Sequence, residues 1–474
     1  MNTDRFISVN PRLSASNKAI ATRIEITRVP LFKTLLRNRW PQFILRVLAL
    51  AGFVFAIVAG LAGTPVGSRN FGIVFVWIAW WALLMLIAVP VFGRGWCSIC
   101  PIPLPGEWLQ NGAILGPRGK GIGLGRRWPN KFRNIWLQNV TFALVALFSS
   151  IVLTQPSVTA LVLALFLALA IGASLIFERR AFCRYLCPVG GFIGLYAQLA
   201  PIELRVKDTA VCAAHTTKTC YTGNADGYGC PWQVFPGGLV KNTYCGACME
   251  CLRTCPHDNI AVNLRAFGAD LWQPTSRKLD EAFKAFIMLG SAIVYSAVML
   301  GPWGNLKSAA YAIGSGEWLI YAAGFLALLF GVLPGAFLIA VHLGRRLSGS
   351  KVKAKKAFAS FAYALIPLGL AAWIAFSLSF VFANLSYVWP ALSDPLGRGW
   401  NLLGAAQISW TPYLMQIVPF LQTVVLLGGL AWASVAVHRI ASEQLPGRTA
   451  TKQAAPVMGF CLMVTIGLLG LLIG

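Results

Sequence analysis

Four cysteines near the middle of the chain have the spacing of iron ligands. Cys245, Cys248, Cys251 and Cys255 are separated by two, two and three residues, and Pro256 follows the last of them. Three thiolates at these spacings wrap one corner of a cubane iron–sulfur cluster, while the fourth cysteine points to a second cluster. A zinc site would usually consist of two Cys-x₂-Cys pairs separated by a longer spacer. The segment therefore predicts electron transfer through iron–sulfur clusters.

A second, altered motif lies upstream and contains Cys212, His215, Cys220 and Cys230, with Pro231 after the last cysteine. Together the two motifs resemble those of two-cluster ferredoxins, in which each motif gives three ligands to its own cluster and its Cys-Pro cysteine to the other. The resemblance implies two [4Fe-4S] clusters with these ligands: Cys245, Cys248, Cys251 and Cys230 for cluster one, and Cys212, Cys220 and Cys255 for cluster two.

Cluster two then has only three thiolates. His215 stands three residues after Cys212, where similar ferredoxins have their second ligand. The site is either a [3Fe-4S] cluster or a [4Fe-4S] cluster with a histidine ligand, and imidazole in place of thiolate should raise the reduction potential. The alternative is that His215 is a solvated histidine in a loop.

The composition is that of a membrane protein. Of the 474 residues, 57% are hydrophobic and 12% are charged, whereas soluble domains carry about 25% charged residues. The net charge of +25 is better explained by cytoplasmic loops and anionic lipid than by nucleic acid. We expect a mostly α fold, a polytopic helix bundle with about nine spans. Their approximate ranges are 43–63, 71–92, 136–155, 157–177, 282–301, 317–341, 358–385, 412–437 and 456–473.

The basic residues predict the orientation of these spans. Clusters of Lys and Arg precede the first span and lie between the second and third and between the sixth and seventh, whereas the alternate loops hold single cations, namely Arg69, Lys307 and Arg398. Basic loops stay in the cytoplasm. We therefore expect a protein of the bacterial inner membrane with a cytoplasmic N-terminus and an external C-terminus. The cysteine-rich segment would face the cytoplasm, where thiols stay reduced.

Four domains follow from this organisation. A basic cytoplasmic arm at 1–42, expected to be disordered and to contact lipid, precedes a four-span membrane domain at 43–201. An inserted two-cluster, ferredoxin-like α+β domain occupies 202–280, and a five-span membrane domain occupies 281–474.

Two similar phrases end the first two predicted hairpins of spans. The first contains Cys97, Cys100 and Pro101, and the second contains Cys183, Cys187 and Pro188. This pattern is an internal repeat of one hairpin and one cysteine pair. The four thiolates are the number that a third cubane needs. The other interpretations are a redox-active thiol pair and cysteines that only shape the helix ends.

With these motifs, the first 280 residues resemble the NapH/NosR-type membrane polyferredoxins, in which paired hairpins with Cys-Pro phrases precede a ferredoxin domain. The resemblance implies transfer of electrons from membrane quinol toward a reductase system. The chain departs from the family at its first phrase, where Cys97 and Cys100 are separated by two residues instead of three.

The sequence is compatible with three functions. The first is electron transfer between membrane quinol and a partner oxidoreductase, in which the cofactors do the chemistry and the protein sets spacing and potential. The second, implied by a similar ferredoxin core in CcoG-type proteins, is electron donation for copper-site maturation of a respiratory enzyme. The third is a transport or partner-docking module in the last five spans. The expected partners are membrane lipid, quinol and oxidoreductase subunits, and nucleic acid is not among them.

Overall fold

The structure is a computed structural model that describes residues 23–116, 119–272 and 277–473. Most of these residues are helical, and three short strands form a small sheet. The chain divides into two compact units that interleave along the sequence. The first unit comprises Met1–Gly52, Ala88–Arg133 and Phe166–Asp270, and the second comprises Phe53–Ile87, Asn134–Leu165 and Leu271–Gly474.

Within the described residues, eight helices are long and apolar enough to cross a membrane. About 20 apolar residues suffice, because the helix rises 1.5 Å per residue and the hydrocarbon core is about 30 Å thick. Each of the eight coincides with one of the nine ranges predicted from the sequence. They are Trp40–Ala62, Phe71–Ile99, Pro156–Ile176, Leu279–Leu300, Gly316–Ser348, Ala354–Ser393, Val418–Ser442 and Gly447–Leu472.

The third predicted span, 136–155, is not one continuous helix. It consists of the helices Trp136–Leu147 and Ser149–Val152, with a break at Phe148. Near the break, the hydroxyl of Ser150 donates a hydrogen bond to the carbonyl of Ala310 at 2.6 Å. The third predicted span is therefore not among the eight helices above.

A three-stranded antiparallel sheet forms part of the first unit. Its strands are β1 (Ile24–Glu25), β2 (Ile202–Val206) and β3 (Ile260–Leu264), in the order β1-β3-β2. The core beside the sheet is apolar except for two cysteines. Its buried members are Leu204, Cys220, Cys251, Leu252, Ile260 and Val262. Two cysteines of the predicted ferredoxin-like domain, Cys220 and Cys251, therefore lie within this core, and Cys245 and Cys255 pack against it.

The N-terminal arm is ordered from Ile24 onward. Strand β1 pairs with β3, and the helix Pro30–Arg37 follows it. The buried guanidinium of Arg253 donates hydrogen bonds to the carbonyl of Arg37 at 2.8 Å and to the side chain of Gln42 at 3.1 Å. The expectation of a disordered arm is wrong for this part, because its backbone is paired. The rest of the arm, residues 1–22, lies outside the described residues.

The other short helices of the first unit carry or flank the cysteines. They are Trp96–Ile99, Leu104–Asn111, Pro188–Tyr196, Thr209–Ala214, Thr219–Thr222 and Glu250–Thr254, with a π-helical turn at Phe182–Leu186. In the second unit, short helices lie at Gly304–Tyr311 and Val388–Ser393.

Ionisable side chains are buried near the start of the helix Leu279–Tyr295 in the second unit. A carboxylate oxygen of Asp280 accepts a hydrogen bond from the backbone N–H of Ile135 at 3.1 Å. The carboxylate of Glu281 accepts one from Tyr363 at 2.6 Å, and Lys284 donates one to the carbonyl of Gln138 at 2.9 Å. These bonds offset the desolvation of the buried groups. None of these three side chains belongs to a motif that is recognisable in the sequence.

Candidate metal centres

The loop that carries Cys245, Cys248 and Cys251 has an unusual backbone. Ala247 and Met249 have φ angles of 47° and 62°, in the left-handed region that residues other than glycine rarely adopt. Such residues cost about 1–3 kcal/mol each and persist where the surrounding structure demands them. The surrounding structure therefore holds this loop in a specific conformation.

The first set of thiols contains the cysteines assigned to cluster one. Burial, followed by the neighbouring Cys248, Cys245 and Cys230, raises the pKa of Cys251 well above its ordinary value. Burial and Cys230 likewise raise the pKa of Cys248 to about 12. Cys220, which belongs to the second set, acts on Cys251 in the same direction. The indole of Trp232, two residues after Cys230, packs against Gly246, so the segment of Cys230 adjoins the Cys245 loop.

The second set contains Cys212, Cys220 and Cys255. Burial and then Cys212 and Cys255 raise the pKa of Cys220 to about 12. Asn259 contacts two of the three sulfurs, because its side-chain N–H lies 3.3 Å from Sγ of Cys212 and its backbone N–H lies 3.4 Å from Sγ of Cys255. Hydrogen bonds to the sulfurs help to set a cluster's reduction potential. Sequence reasoning missed Asn259, although its position four residues after Cys255 is a usable signal.

His215 is placed beside other polar groups. It follows the helix Thr209–Ala214, its Nε2 lies 2.7 Å from the hydroxyl of Thr217, and its ring packs edge-to-face on His257 with centroids 4.8 Å apart. Slight burial, His257 and Lys218 lower its pKa. Its ligand role stays a prediction.

The third set contains the paired cysteines that end the predicted hairpins. Burial and the neighbouring Cys97 and Cys187 raise the pKa of Cys100 to about 12, and burial and Cys183 raise that of Cys187 to about 12. Cys187 also begins the helix Pro188–Tyr196, where its Sγ accepts a hydrogen bond from the N–H of Gly190 at 3.2 Å. Two cysteine pairs that lie more than 80 residues apart in sequence thus meet in the structure.

An ion-pair triad lies next to the third set. The carboxylate of Glu107 accepts hydrogen bonds from the guanidinium groups of Arg180 and Arg46. Burial alone would raise the pKa of Glu107, but these two cations outweigh it and lower the pKa to about 2. Arg180 also donates to the carbonyl of Cys97 at 3.0 Å. The triad and Cys248 line a cavity of about 70 Å³, room for a few water molecules.

The donor sets fit clusters of several irons. Within the part of the chain that the structure describes, no three His, Cys, Asp or Glu side chains are arranged to hold a single metal ion. In a cubane each thiolate binds a different iron, so the sulfurs need not converge on one point. Clusters bind thiolates, so binding of a cluster would release protons from the cysteines that hold it.

The comparison with protein families agrees with the third set in particular. Residues 73–123 and 159–207 each match the model of a 4Fe-4S binding domain, Fer4_5. The first match contains Cys97 and Cys100, and the second contains Cys183 and Cys187. The same model thus recognises both halves of the internal repeat. These matches support iron–sulfur binding by the chain.

Two curated proteins are similar to parts of the chain. One is "Putative electron transport protein YccM" of Escherichia coli (strain K12), which is 27% identical over 138 residues, or 27% of this chain and 34% of that protein. The other is "Uncharacterized protein MJ0749" of Methanocaldococcus jannaschii, 24% identical over 221 residues, or 45% of this chain and 80% of that protein. The match thus spans about a third of YccM. No solved structure matches the chain. Together with the domain match, the similarity to YccM supports an iron–sulfur electron transport protein.

Proposed function

We propose that this chain is a membrane iron–sulfur protein that passes electrons between membrane quinol and a partner oxidoreductase. The observation that carries the proposal is that eleven of the twelve cysteines belong to one compact unit. The third set also lies in the two segments that match a 4Fe-4S binding domain. Eight apolar helices support a place in the membrane, which we assign to the bacterial inner membrane.

Each set has a specific role in this proposal. Cluster one is held by Cys245, Cys248, Cys251 and Cys230; cluster two by Cys212, Cys220 and Cys255 with His215; and a third cluster by Cys97, Cys100, Cys183 and Cys187. When bound, such clusters supply one-electron transfer over a wide range of potentials. The protein buries the ligands, excludes water from most of them and places charged side chains around them.

The surroundings of Cys248 support entry of electrons from the membrane side. Cys248 lines the cavity that also contains Arg46 and Glu107, and Arg46 belongs to the apolar helix Trp40–Ala62. Arg46 retains a buried Nε–H that has no hydrogen-bond partner. The cavity thus connects a helix that is apolar enough to cross a membrane with a predicted ligand of cluster one.

The experiment is a reduction assay on the full chain, purified anaerobically in detergent and analysed for iron and acid-labile sulfide. The proposal predicts that a menaquinol analogue bleaches the visible absorbance of the protein and produces electron paramagnetic resonance (EPR) signals of reduced clusters. Protein that contains clusters but is inert to quinol and rapidly reduces Cu(II) would instead indicate copper-site maturation. Absence of iron and sulfide after anaerobic purification and reconstitution would contradict both functions.

A further inference from the structure

Arg94 is a buried guanidinium in the first unit. Arg94 as a whole is 5% exposed to solvent. It donates hydrogen bonds to the carbonyl of Thr243 and, at 2.7 Å, to the carbonyl of Gly190. Its guanidinium carbon lies 4.2 Å from the ring centroid of Trp232, as in a cation–π contact. Gly194 leaves room for it, because a Cβ there would lie 3.1 Å from that carbon. The position of Arg94 is therefore fixed from several sides.

No carboxylate forms an ion pair with Arg94 among the described residues, and its buried Nε–H has no hydrogen-bond partner. Other buried arginines of the unit differ in this respect. Arg180 pairs with Glu107, and Arg205 lies 3.1 Å from the carboxylate of Asp270. A buried charge without a counter-charge costs several kcal/mol. The fold tolerates such a charge where a bound anion offsets it.

The hydrogen bonds of Arg94 connect it to two of the thiol sets. Gly190, whose carbonyl it binds, follows Cys187 by three residues, and a Cβ on Gly190 would lie 3.3 Å from a guanidinium nitrogen of Arg94 and 2.9 Å from the carbonyl of Cys183. Thr243, whose carbonyl it also binds, precedes Cys245 by two residues. Arg94 thus lies between a juxtamembrane pair and the Cys245 loop.

We propose that Arg94 is a shared counter-charge of the third cluster and cluster one, and that it raises the reduction potentials of both. The inference rests on the proposed function, since it requires clusters at these thiols. One-electron reduction adds a negative charge at a site without making or breaking a bond, and a fixed cation nearby favours the more negative state. The same cation would favour both the loading and the reduction of a cluster at each of the two sites.

The test is a redox titration of anaerobically purified full-length variants, followed by EPR. Arg94→Gln should shift two of the cluster signals to lower midpoint potential while the iron content is retained. Arg94→Lys, which keeps the charge, should retain most of the wild-type potentials. Arg127→Gln removes the same charge from an exposed position and should change neither signal. Wild-type potentials in a fully loaded Arg94→Gln protein would overturn the proposal.

A second measurement covers the case in which Arg94→Gln loads poorly. Thermal unfolding of Arg94→Gln and wild type is compared in metal-free and reconstituted protein. A counter-charge role predicts that the substitution costs more stability in the reconstituted protein, because only there does Arg94 face an anion. Equal losses in both forms would mean a purely structural role. Iron-free wild type would refute the proposed function itself, whereas loaded wild type with unaffected variants would refute only the role of Arg94.

Discussion

Gly246 packs directly against the indole of Trp232, so that a Cβ on Gly246 would lie 1.9 Å from Nε1 of that ring. No side chain fits at this distance. Gly246 lies between Cys245 and Cys248, and Trp232 follows Cys230 by two residues. The contact therefore joins the two segments that supply the predicted ligands of cluster one.

We expect Gly246→Ala to displace Trp232, which is 1% exposed, and to separate the two ligand segments. The purified variant should lose about four irons per chain and unfold at a lower temperature. Gly238→Ala is the matched control, since nothing lies within 4 Å of its added Cβ. Equal iron content in Gly246→Ala and Gly238→Ala would show that the contact does not support cluster one.

The juxtamembrane pairs can be tested by iron counting. If the third set holds a cluster, anaerobically purified wild type should contain about twelve irons, and Cys183→Ser with Cys187→Ser should reduce this to about eight. Cys461→Ser is the control, because Cys461 is buried in the last apolar helix, away from the cysteine repeats in sequence. Unchanged iron and quinol reduction in the double variant would leave the pairs with a structural role.

His215 has a distinct spectroscopic test. His215→Cys should retain four irons at cluster two and lower its potential, since thiolate adds negative charge. His215→Ala should convert the site to a three-iron cluster with its own EPR signal when oxidised. His257→Ala removes the ring that packs against His215 and serves as the control for local disturbance. If neither change at His215 alters the signal or potential of cluster two, the histidine is not a ligand.

The sequence was informative where function depends on local spacing. The intervals between Cys245, Cys248 and Cys251 predict neighbouring thiols because a short loop keeps them close whatever the rest of the fold does. The internal repeat of one hairpin and one cysteine pair was visible in the sequence, and the match of both halves to one 4Fe-4S model agrees with it. Hydropathy predicted nine spans, and eight of them coincide with long apolar helices of the described residues, since the bilayer fixes the length and composition of such helices.

Other features depend on contacts between distant residues and could not be predicted in the same way. Arg94 and Thr243 are 149 positions apart, and neither is unusual in its local sequence. Strand β1 has two residues, too few to show an alternating pattern of apolar and polar side chains. It forms because its backbone pairs with the edge of β3. The break at Phe148 reflects buried serines in a run that is apolar on average.

The triad around Glu107 should be important for stability. Glu107→Gln leaves Arg180 and Arg46 without their carboxylate, and breaking a partly buried pair costs about 3 kcal/mol. The expected result is a lower unfolding temperature of metal-free protein in detergent. Glu178→Gln is the control, because Glu178 forms no ion pair in the described part of the chain, and it should change stability by less than about 0.5 kcal/mol. A comparable loss of stability in both variants would show that the triad does not stabilise the protein.

The broken third helix raises the question of how often the chain crosses the membrane. Arg180 hydrogen-bonds to the carbonyl of Cys97, so these two residues lie on the same side. The chain between them must then cross an even number of times. The helix Pro156–Ile176 is long and apolar enough for one crossing. The second crossing must then be made by the segment from Trp136 to Val152, whose 17 residues would span about 25 Å as helix.

We therefore predict nine crossings despite the break. A reporter fused after Gln155 should behave as external, one fused after Asp280 as cytoplasmic, and one fused at Gly474 as external. The basic loops favour this orientation. A fusion after Ala62, at the end of the first apolar helix, is the control and should be external in any model with a cytoplasmic N-terminus. A cytoplasmic signal after Gln155 together with an external signal after Ala62 would show that the broken segment does not cross.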